Sequence, residues 1–436
     1  MSATKSIPFH KPAIGENEIR AVVETLRSGW ITTGPRVKEF EESFAAYVGA
    51  RHAVAVNSGT AAIHLGLAAA GLGPGEAILT SPLTFPATTE AAIYCGAEPL
   101  FADVDPVTLN LDPQRAEEVL EREAEKRRIR VLVPVHYGGQ PCAMERLLPL
   151  AERFELKIVE DAAHALPAWR RMPTATLSCR AREGSLGPDS SPASARTLPG
   201  PPGPLSPAPP GEAWRMVGTI GDFTAFSFYA TKTITTAEGG MITCEAGESA
   251  ELLRSLRLHG LSGDAWKRYR SEGSWRYDVA RTGYKDNMPD VLAAIGLEQL
   301  KRADELAAAR RHLVDLYREL FRSLEDRVIL PQVEERSGHA WHLFPIRLRQ
   351  ASERNRVIED LRGRGIGSSV HFIPVHLHSF YESTYGYRRG DFPVAEAAFD
   401  SLISLPLWPG LADDDVAYVV STFGELLDRK RAAHQG

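Results

Sequence analysis

The chain has 436 residues, 43% hydrophobic and 24% charged, and its 50 Lys and Arg against 56 Asp and Glu leave a net charge of −6. That balance excludes a basic domain built to grip nucleic-acid phosphates. Four scattered cysteines (Cys95, Cys142, Cys179, Cys244) exclude a disulfide scaffold or zinc ribbon and fit a reducing cytoplasm. After a short N-terminal arm (1–15), the periodicity predicts helices over 16–28 and 36–48. Val37, Phe40, Phe44, Ala45 and Val48 fall at helical spacing in the second. Strands and helices then alternate. Strands are expected at 53–56, 77–80, 99–104, 131–136 and 157–161. Helices are expected from about 59 to 70 and at 85–94, 113–127 and 144–154. Further strands are expected at 223–228 and 240–244, and a long helix or two over 290–325. A strand at 343–348, a helix at 351–363, a strand at 368–372 and helices at 394–402 and 412–428 complete the pattern. Strand–helix alternation predicts an α/β fold with a mainly parallel central sheet flanked by helices, plus a smaller C-terminal α/β domain. The first residues lack the apolar core of a signal peptide, and no uncharged apolar run is long enough to span a membrane.

Three features bear chemistry. Lys232 follows a strand in Phe-Ser-Phe-Tyr-Ala-Thr-Lys, where burial lowers a lysine's pKa and makes it nucleophilic. Asp161 closes the apolar strand 157–161, and His164 follows three residues later on the same helical face. Ser58-Gly59-Thr60-Ala61-Ala62 joins a strand to a helix, and the free N–H groups of a helix start suit a phosphate. Singly, each has a plainer explanation: a surface lysine, a helix N-cap, a packed core histidine, an ordinary capped helix start. Together with Phe85 at another strand end, they match what pyridoxal phosphate requires. Lysine forms the Schiff base, a carboxylate pairs with the pyridinium nitrogen, a helix start cradles the phosphate and an aromatic stacks on the ring. His376 and His378 stand two apart with no acidic or cysteine cluster beside them, so no metal site is expected.

Ordered blocks across the chain carry a resemblance to the DegT/DnrJ/StrS sugar aminotransferases, which have the type I PLP-dependent transferase fold. They include Gly29-Trp30-Ile31-Thr32-Thr33-Gly34-Pro35, Asn57-Ser58-Gly59-Thr60-Ala61-Ala62, Glu160-Asp161-Ala162-Ala163-His164-Ala165 and Glu238-Gly239-Gly240-Met241. Gly283-Tyr284-Lys285-Asp286-Asn287-Met288 and Val370-His371-Phe372-Ile373-Pro374-Val375-His376 extend it. The resemblance implies pyridoxal 5'-phosphate as cofactor and roles for several residues. Lys232 is the Schiff-base lysine, Asp161 the pyridine-nitrogen partner, His164 the neighbour of the ring hydroxyl and Phe85 the stacking aromatic. Gly59, Thr60, Ala61 and Ser227 meet the phosphate. Asn287 reaches the phosphate of a neighbouring subunit, which implies a homodimer with shared active sites. Trp30, Thr33 and His376 are the candidates to line a substrate pocket. The implied reaction is a ping-pong transamination in the cytoplasm, from glutamate to a nucleotide-linked ketosugar, in polysaccharide or antibiotic-sugar biosynthesis. Neither nucleic acid nor membrane is expected as a partner. Two related readings are a pyridoxamine-dependent sugar dehydratase, which has histidine where this chain has Lys232, and a non-catalytic regulatory protein. Ala237 stands where the family has glycine, tolerable unless its φ is positive, and Leu166-Pro167 stands where the family also has a glycine.

Residues 168–212 hold 10 prolines, 5 glycines and 6 serines. Such a composition cannot offset its ordering entropy, so a disordered insertion is expected there. Ala168-Trp169-Arg170 recurs at its far edge as Ala213-Trp214-Arg215. The insertion interrupts a large cofactor-binding domain over 16–260, and 261–436 supplies linker helices and the small domain.

Overall fold

The computed structural model describes residues 5–123, 126–175, 207–261 and 277–434, with side chains as far as 428. Its thirteen strands are β1 (His52–Val56), β2 (Glu76–Thr80), β3 (Glu98–Phe101), β4 (Arg128–Val133), β5 (Lys157–Asp161), β6 (Trp169–Pro173), β7 (Glu212–Met216), β8 (Phe223–Ser227), β9 (Gly240–Cys244), β10 (Val328–Ile329), β11 (Ser337–Gly338), β12 (Phe344–Leu348) and β13 (Leu402–Leu405).

A seven-stranded sheet runs β1-β9-β8-β5-β4-β2-β3. β8, β5, β4, β2 and β3 are parallel neighbours, and β9 alone runs against both β1 and β8. The central strands carry apolar runs (Ile158, Val159, Val131 and Val133 are fully buried), as expected of a sheet covered on both faces. The helix Gly59–Ala69 packs on one face; Gly66 lets it approach until a Cβ there would lie 3.1 Å from Val159. The helix Pro35–Val48 covers the other face, with Phe40 and Phe44 meeting Phe228. Because β8, β5, β4 and β2 point the same way, their carboxyl ends open on one edge, where ligands gather in such sheets.

A second sheet, β10-β12-β13, packs under the helices Ala303–Leu320, Arg354–Gly363 and Asp413–His434 around Tyr317, Phe321, Phe344 and Phe423. Two expectations fail here. Residues 368–372 form no strand: Ser369 makes a single bridge to Ser404, because the segment leaves the sheet to reach the cavity described below. The helix expected over 394–402 ends at Ser401, and Leu402 opens a buried strand instead; the apolar run Leu402-Ile403 satisfies either pattern, and pairing with β12 decides it.

A third sheet, β11-β6-β7, corrects the edges of the predicted disordered stretch. Residues 168–173 are ordered core. Ala168 and Met172 are fully buried, and β6 pairs with β7 in register from Trp169↔Met216 to Pro173↔Glu212. Arg170 is buried, with Nε and Nη2 donating to both oxygens of Glu145 (2.8 and 2.6 Å), and Nη1 pairing with Glu334 and Ser337. The repeated Ala-Trp-Arg motifs are the two strands of one hairpin. Thr174 N–H still donates to the Gly211 carbonyl at 2.9 Å. The remainder of the predicted insertion, 176–206, lies outside the described residues. No described helix is long and apolar enough to cross a membrane.

Candidate active site

A cavity of about 500 Å³ opens at the carboxyl ends of β5 and β8. It collects Ser58, Gly59, Thr60, Phe85, Asp161, His164, Ser227 and Lys232, most of the residues the sequence marks out.

Asp161 ends β5 and is 5% exposed. Thr88 Oγ1 donates to its Oδ2 at 2.7 Å, and the Ala163 N–H donates to its Oδ1 at 3.1 Å, so the carboxylate is fixed from two sides. Lys232 closes a turn after β8, its N–H bonded to the Tyr229 carbonyl at 2.9 Å. Burial pushes its amine down to about 8, partly opposed by the charge of Asp161. His164 is buried. Its Nδ1 accepts the Gly138 N–H at 3.2 Å, so the ring proton resides on Nε2, free for a ligand oxygen. Burial first, and then the charges of Lys232 and His371, hold it well below the usual histidine range, and it stays neutral.

The phosphate-sized cradle lies where β1 turns into the helix Gly59–Ala69. Ser58 caps that helix, its Oγ accepting the Ala61 N–H at 3.1 Å. The N–H groups of Gly59 and Thr60 fall in the first turn, where an α-helix offers no carbonyl. Ser227 approaches so closely that a Cβ on Gly59 would sit 2.7 Å from its own Cβ, so only glycine leaves the cradle open. Phe85 projects 59% exposed into the mouth, its ring 6.0 Å from that of Phe372. A buried amine, a fixed carboxylate, an anion cradle and an aromatic face around one cavity fit a phosphorylated pyridine aldehyde.

Five predicted residues are not brought to this cavity within the one chain. Ala61 faces the core, and its N–H is taken by Ser58. Asn287 donates from Nδ2 to Thr33 Oγ1 at 2.7 Å, and Thr33 in turn donates to the Met288 carbonyl at 2.6 Å. Thr33 lines a separate groove with Arg51, Arg254 and Arg257. Trp30 lies against Gly34, its Nε1 donating to the Thr33 carbonyl at 3.3 Å. His376 is a correction to the substrate-pocket reading: it is fully buried in the core around Phe392, with Nε2 2.9 Å from Glu396 Oε1. The sequence places it beside the pocket because its segment does reach there, but through His371 and Phe372.

Sequence reasoning missed Phe9, His10, Thr88, His342, His371 and Phe372. His371 and Phe372 fall inside a quoted block and were within reach of it. His342 and His10 carry no local signal. His342 lies 4.3 Å from His164, ring to ring, and Phe9 stacks on His371 at 5.3 Å. Burial and the nearby lysine push His371 down to about 4.

Residues 12–424 match the model of the DegT/DnrJ/EryC1/StrS aminotransferase family. The spore coat polysaccharide biosynthesis protein SpsC of Bacillus subtilis is 42% identical, with 97% of each chain covered. The UDP-4-amino-4-deoxy-L-arabinose–oxoglutarate aminotransferase of Shewanella sediminis is 33% identical, covering 97% of this chain and 99% of that one. A Streptococcus pneumoniae chain solved in its PLP-form superposes with a TM-score of 0.81 at 31% identity, covering 98% and 99% of the two chains. The fold and site define a type I PLP-dependent transferase. The chain belongs to the DegT/DnrJ/EryC1/StrS aminotransferase family and is an aminotransferase that works with pyridoxal 5'-phosphate.

Proposed function

We propose that this enzyme moves an amino group from an amino acid, glutamate, to a nucleotide-linked ketosugar in a ping-pong transamination, working as a homodimer in the cytoplasm. The observation that carries it is the convergence of Lys232 and Asp161 on one cavity roomy enough for a cofactor and a sugar. The Shewanella relative's name sets a UDP-linked amino sugar and oxoglutarate side by side, which supports a nucleotide sugar and a glutamate donor here.

Lys232 would tether the cofactor through Nζ, and Asp161 would pair with its ring nitrogen. Gly59 and Thr60 N–H groups with Ser227 would hold the phosphate, Phe85 would cover the ring and His164 Nε2–H would meet the ring hydroxyl. Bound there, the cofactor supplies an electron sink for the carbanion left when the donor loses its Cα proton. Lys232, once released from the tether, would take that proton from the donor's Cα and give it up on the far side of the nitrogen, at the cofactor's aldehyde carbon. Its pKa near 8 suits a group that must act as base and then acid at neutral pH. Asp161, fixed by Thr88 and Ala163, would hold the ring nitrogen's proton in place. Phe9, His371 and Phe372 form the wall against which the acceptor lies. Residues 16–260 act as the cofactor domain and 261–436 as the smaller one.

The test is spectroscopic. The purified protein should show a visible cofactor band that glutamate bleaches and that is lost in Lys232→Ala. Bleached enzyme offered a panel of nucleotide ketosugars should regain the band with one class of them. A protein that stays colourless with added pyridoxal phosphate sinks the reading.

A further inference from the structure

Arg310, on the helix Ala303–Leu320, is 1% exposed and makes no ion pair among the described residues. Its Nη1 donates to the carbonyls of Leu407 at 2.8 Å and of Trp341 and His342 at 3.4 Å each, while its Nε finds no acceptor. Burial lowers its pKa only to about 10, so it stays charged at neutral pH. Three carbonyl dipoles satisfy hydrogen bonds but bring no negative charge, and a buried cation without a counter-ion is costly. His342 and Leu407 both line the active-site cavity, so this charge stands directly behind the wall. His342 is itself 7% exposed, and its Nδ1 is buried without a partner. His10 lines the same cavity from the N-terminal arm. Both His10 and His342 are held low chiefly by burial, and both also feel Arg310 and Lys232.

The wall is thus backed by an uncompensated positive charge and lies within electrostatic reach of the reacting lysine. Of the acidic side chains on the cavity, Asp161 is committed to Thr88 and the Ala163 N–H, and Glu238 is exposed. A ligand must bring the missing negative charge. A carboxylate one bond from a carbon that reacts at Lys232 meets that requirement. A nucleotide's diphosphate does not, because the sugar ring separates it from the reacting carbonyl.

We infer that Arg310 is a positioning residue for the amino donor, its charge acting through His342 to hold the donor carboxylate against the wall that His342 forms. The inference rests on the amino-acid-donor reading above. Its test uses glutarate, an unreactive dicarboxylate whose binding to the holoenzyme is followed by the cofactor's absorbance. Arg310→Met should raise the glutarate Kd and the donor KM about tenfold or more, since a charge in a low-dielectric wall is weakly screened. The kcat and the ketosugar KM should stay within about threefold, and Arg310→Lys should recover most of the loss. Equal losses in both variants, spread over kcat and both KM values, would mean that Arg310 only clamps three carbonyls and would overturn the inference. So would an unchanged glutarate Kd. If Arg310→Met does not fold, His342→Phe takes its place. It removes the wall's imidazole and leaves the clamped carbonyl, and the same selective loss of glutarate affinity is expected, with unchanged affinity counting against the inference. Failure of the donor reading would look different: wild-type enzyme that binds glutarate and is not bleached by any amino acid.

Discussion

Lys232 and Asp161 owe their chemistry to burial of opposite kinds. The lysine is pushed toward neutrality by desolvation, while the aspartate is fixed by a threonine hydroxyl and a backbone N–H. The sign of the lysine's shift sets a pH dependence. Only the neutral amine attacks an aldehyde, and the folded amine loses its proton near 8 rather than 10.5. Capture of pyridoxal phosphate by the apoprotein should therefore quicken about tenfold per pH unit below 8 and level off above it. A stopped-flow pH series checks this; a rate still climbing toward 10.5 would place the amine in water. Ala237 is the other informative residue. Its φ is +69°, in the left-handed region where a Cβ is strained, and the Thr235 hydroxyl holds the turn by accepting its N–H at 2.9 Å. Ala237→Gly relieves that strain but adds freedom to the unfolded chain, so stability should rise by up to about 1 kcal/mol, read as an increase in the denaturant midpoint with unchanged slope.

At the scale of elements, the β6–β7 hairpin decides how the proline-rich stretch is tolerated. Pro173 pairs with Glu212, and the Thr174 N–H meets the Gly211 carbonyl, so the strands come together at the tip whatever lies between. Replacing 174–211 with Asn-Gly, which suits a two-residue hairpin turn, should leave activity within about threefold. Shorter loop closure should leave stability equal or raise it by up to about 2 kcal/mol. Deleting 168–212 instead removes one of the two hairpin strands and with it the pairing of β6 with β7, and should show as a lowered denaturant midpoint or insoluble protein. Composition located the stretch but misplaced its edges. Trp169, Arg170 and Met172 read as part of a polar, proline-rich run, and only cross-strand pairing and the two glutamates make them core.

For the whole molecule, the residues that fail to reach the cavity are as informative as those that do. Asn287 and Thr33 bond each other beside the helix start at Ser58, and Asn57 joins them through its N–H to the Asp286 carbonyl. The proposed homodimer shares its sites through Asn287, and complementation tests that proposal. Lys232→Ala and Asn287→Ala chains, each inactive alone, should regain about one quarter of wild-type activity when refolded together in equal amounts, because half the sites of half the dimers are then intact. No recovery would mean that each chain completes its own site.

The alternating α/β order, the parallel sheet and the residues that line the cavity at the strand ends were legible in the amino-acid pattern. Those residues sit at strand ends, where local pattern and chemistry coincide. Lys232, Asp161 and the Ser58 helix start were legible because each is tied to one strand or one cap. The far wall of the cavity, by contrast, comes from packing alone. His10, His342 and His371 come from an N-terminal arm, a loop before β12 and a segment that leaves the small sheet, and nothing near His10 or His342 in sequence marks them. His376 shows the same limit from the other side: its motif suggested the pocket, and burial against Glu396 and Phe392 took it into the core. Periodicity reports which face of an element is buried, whereas a site built from three distant segments exists only once packing sets their distances.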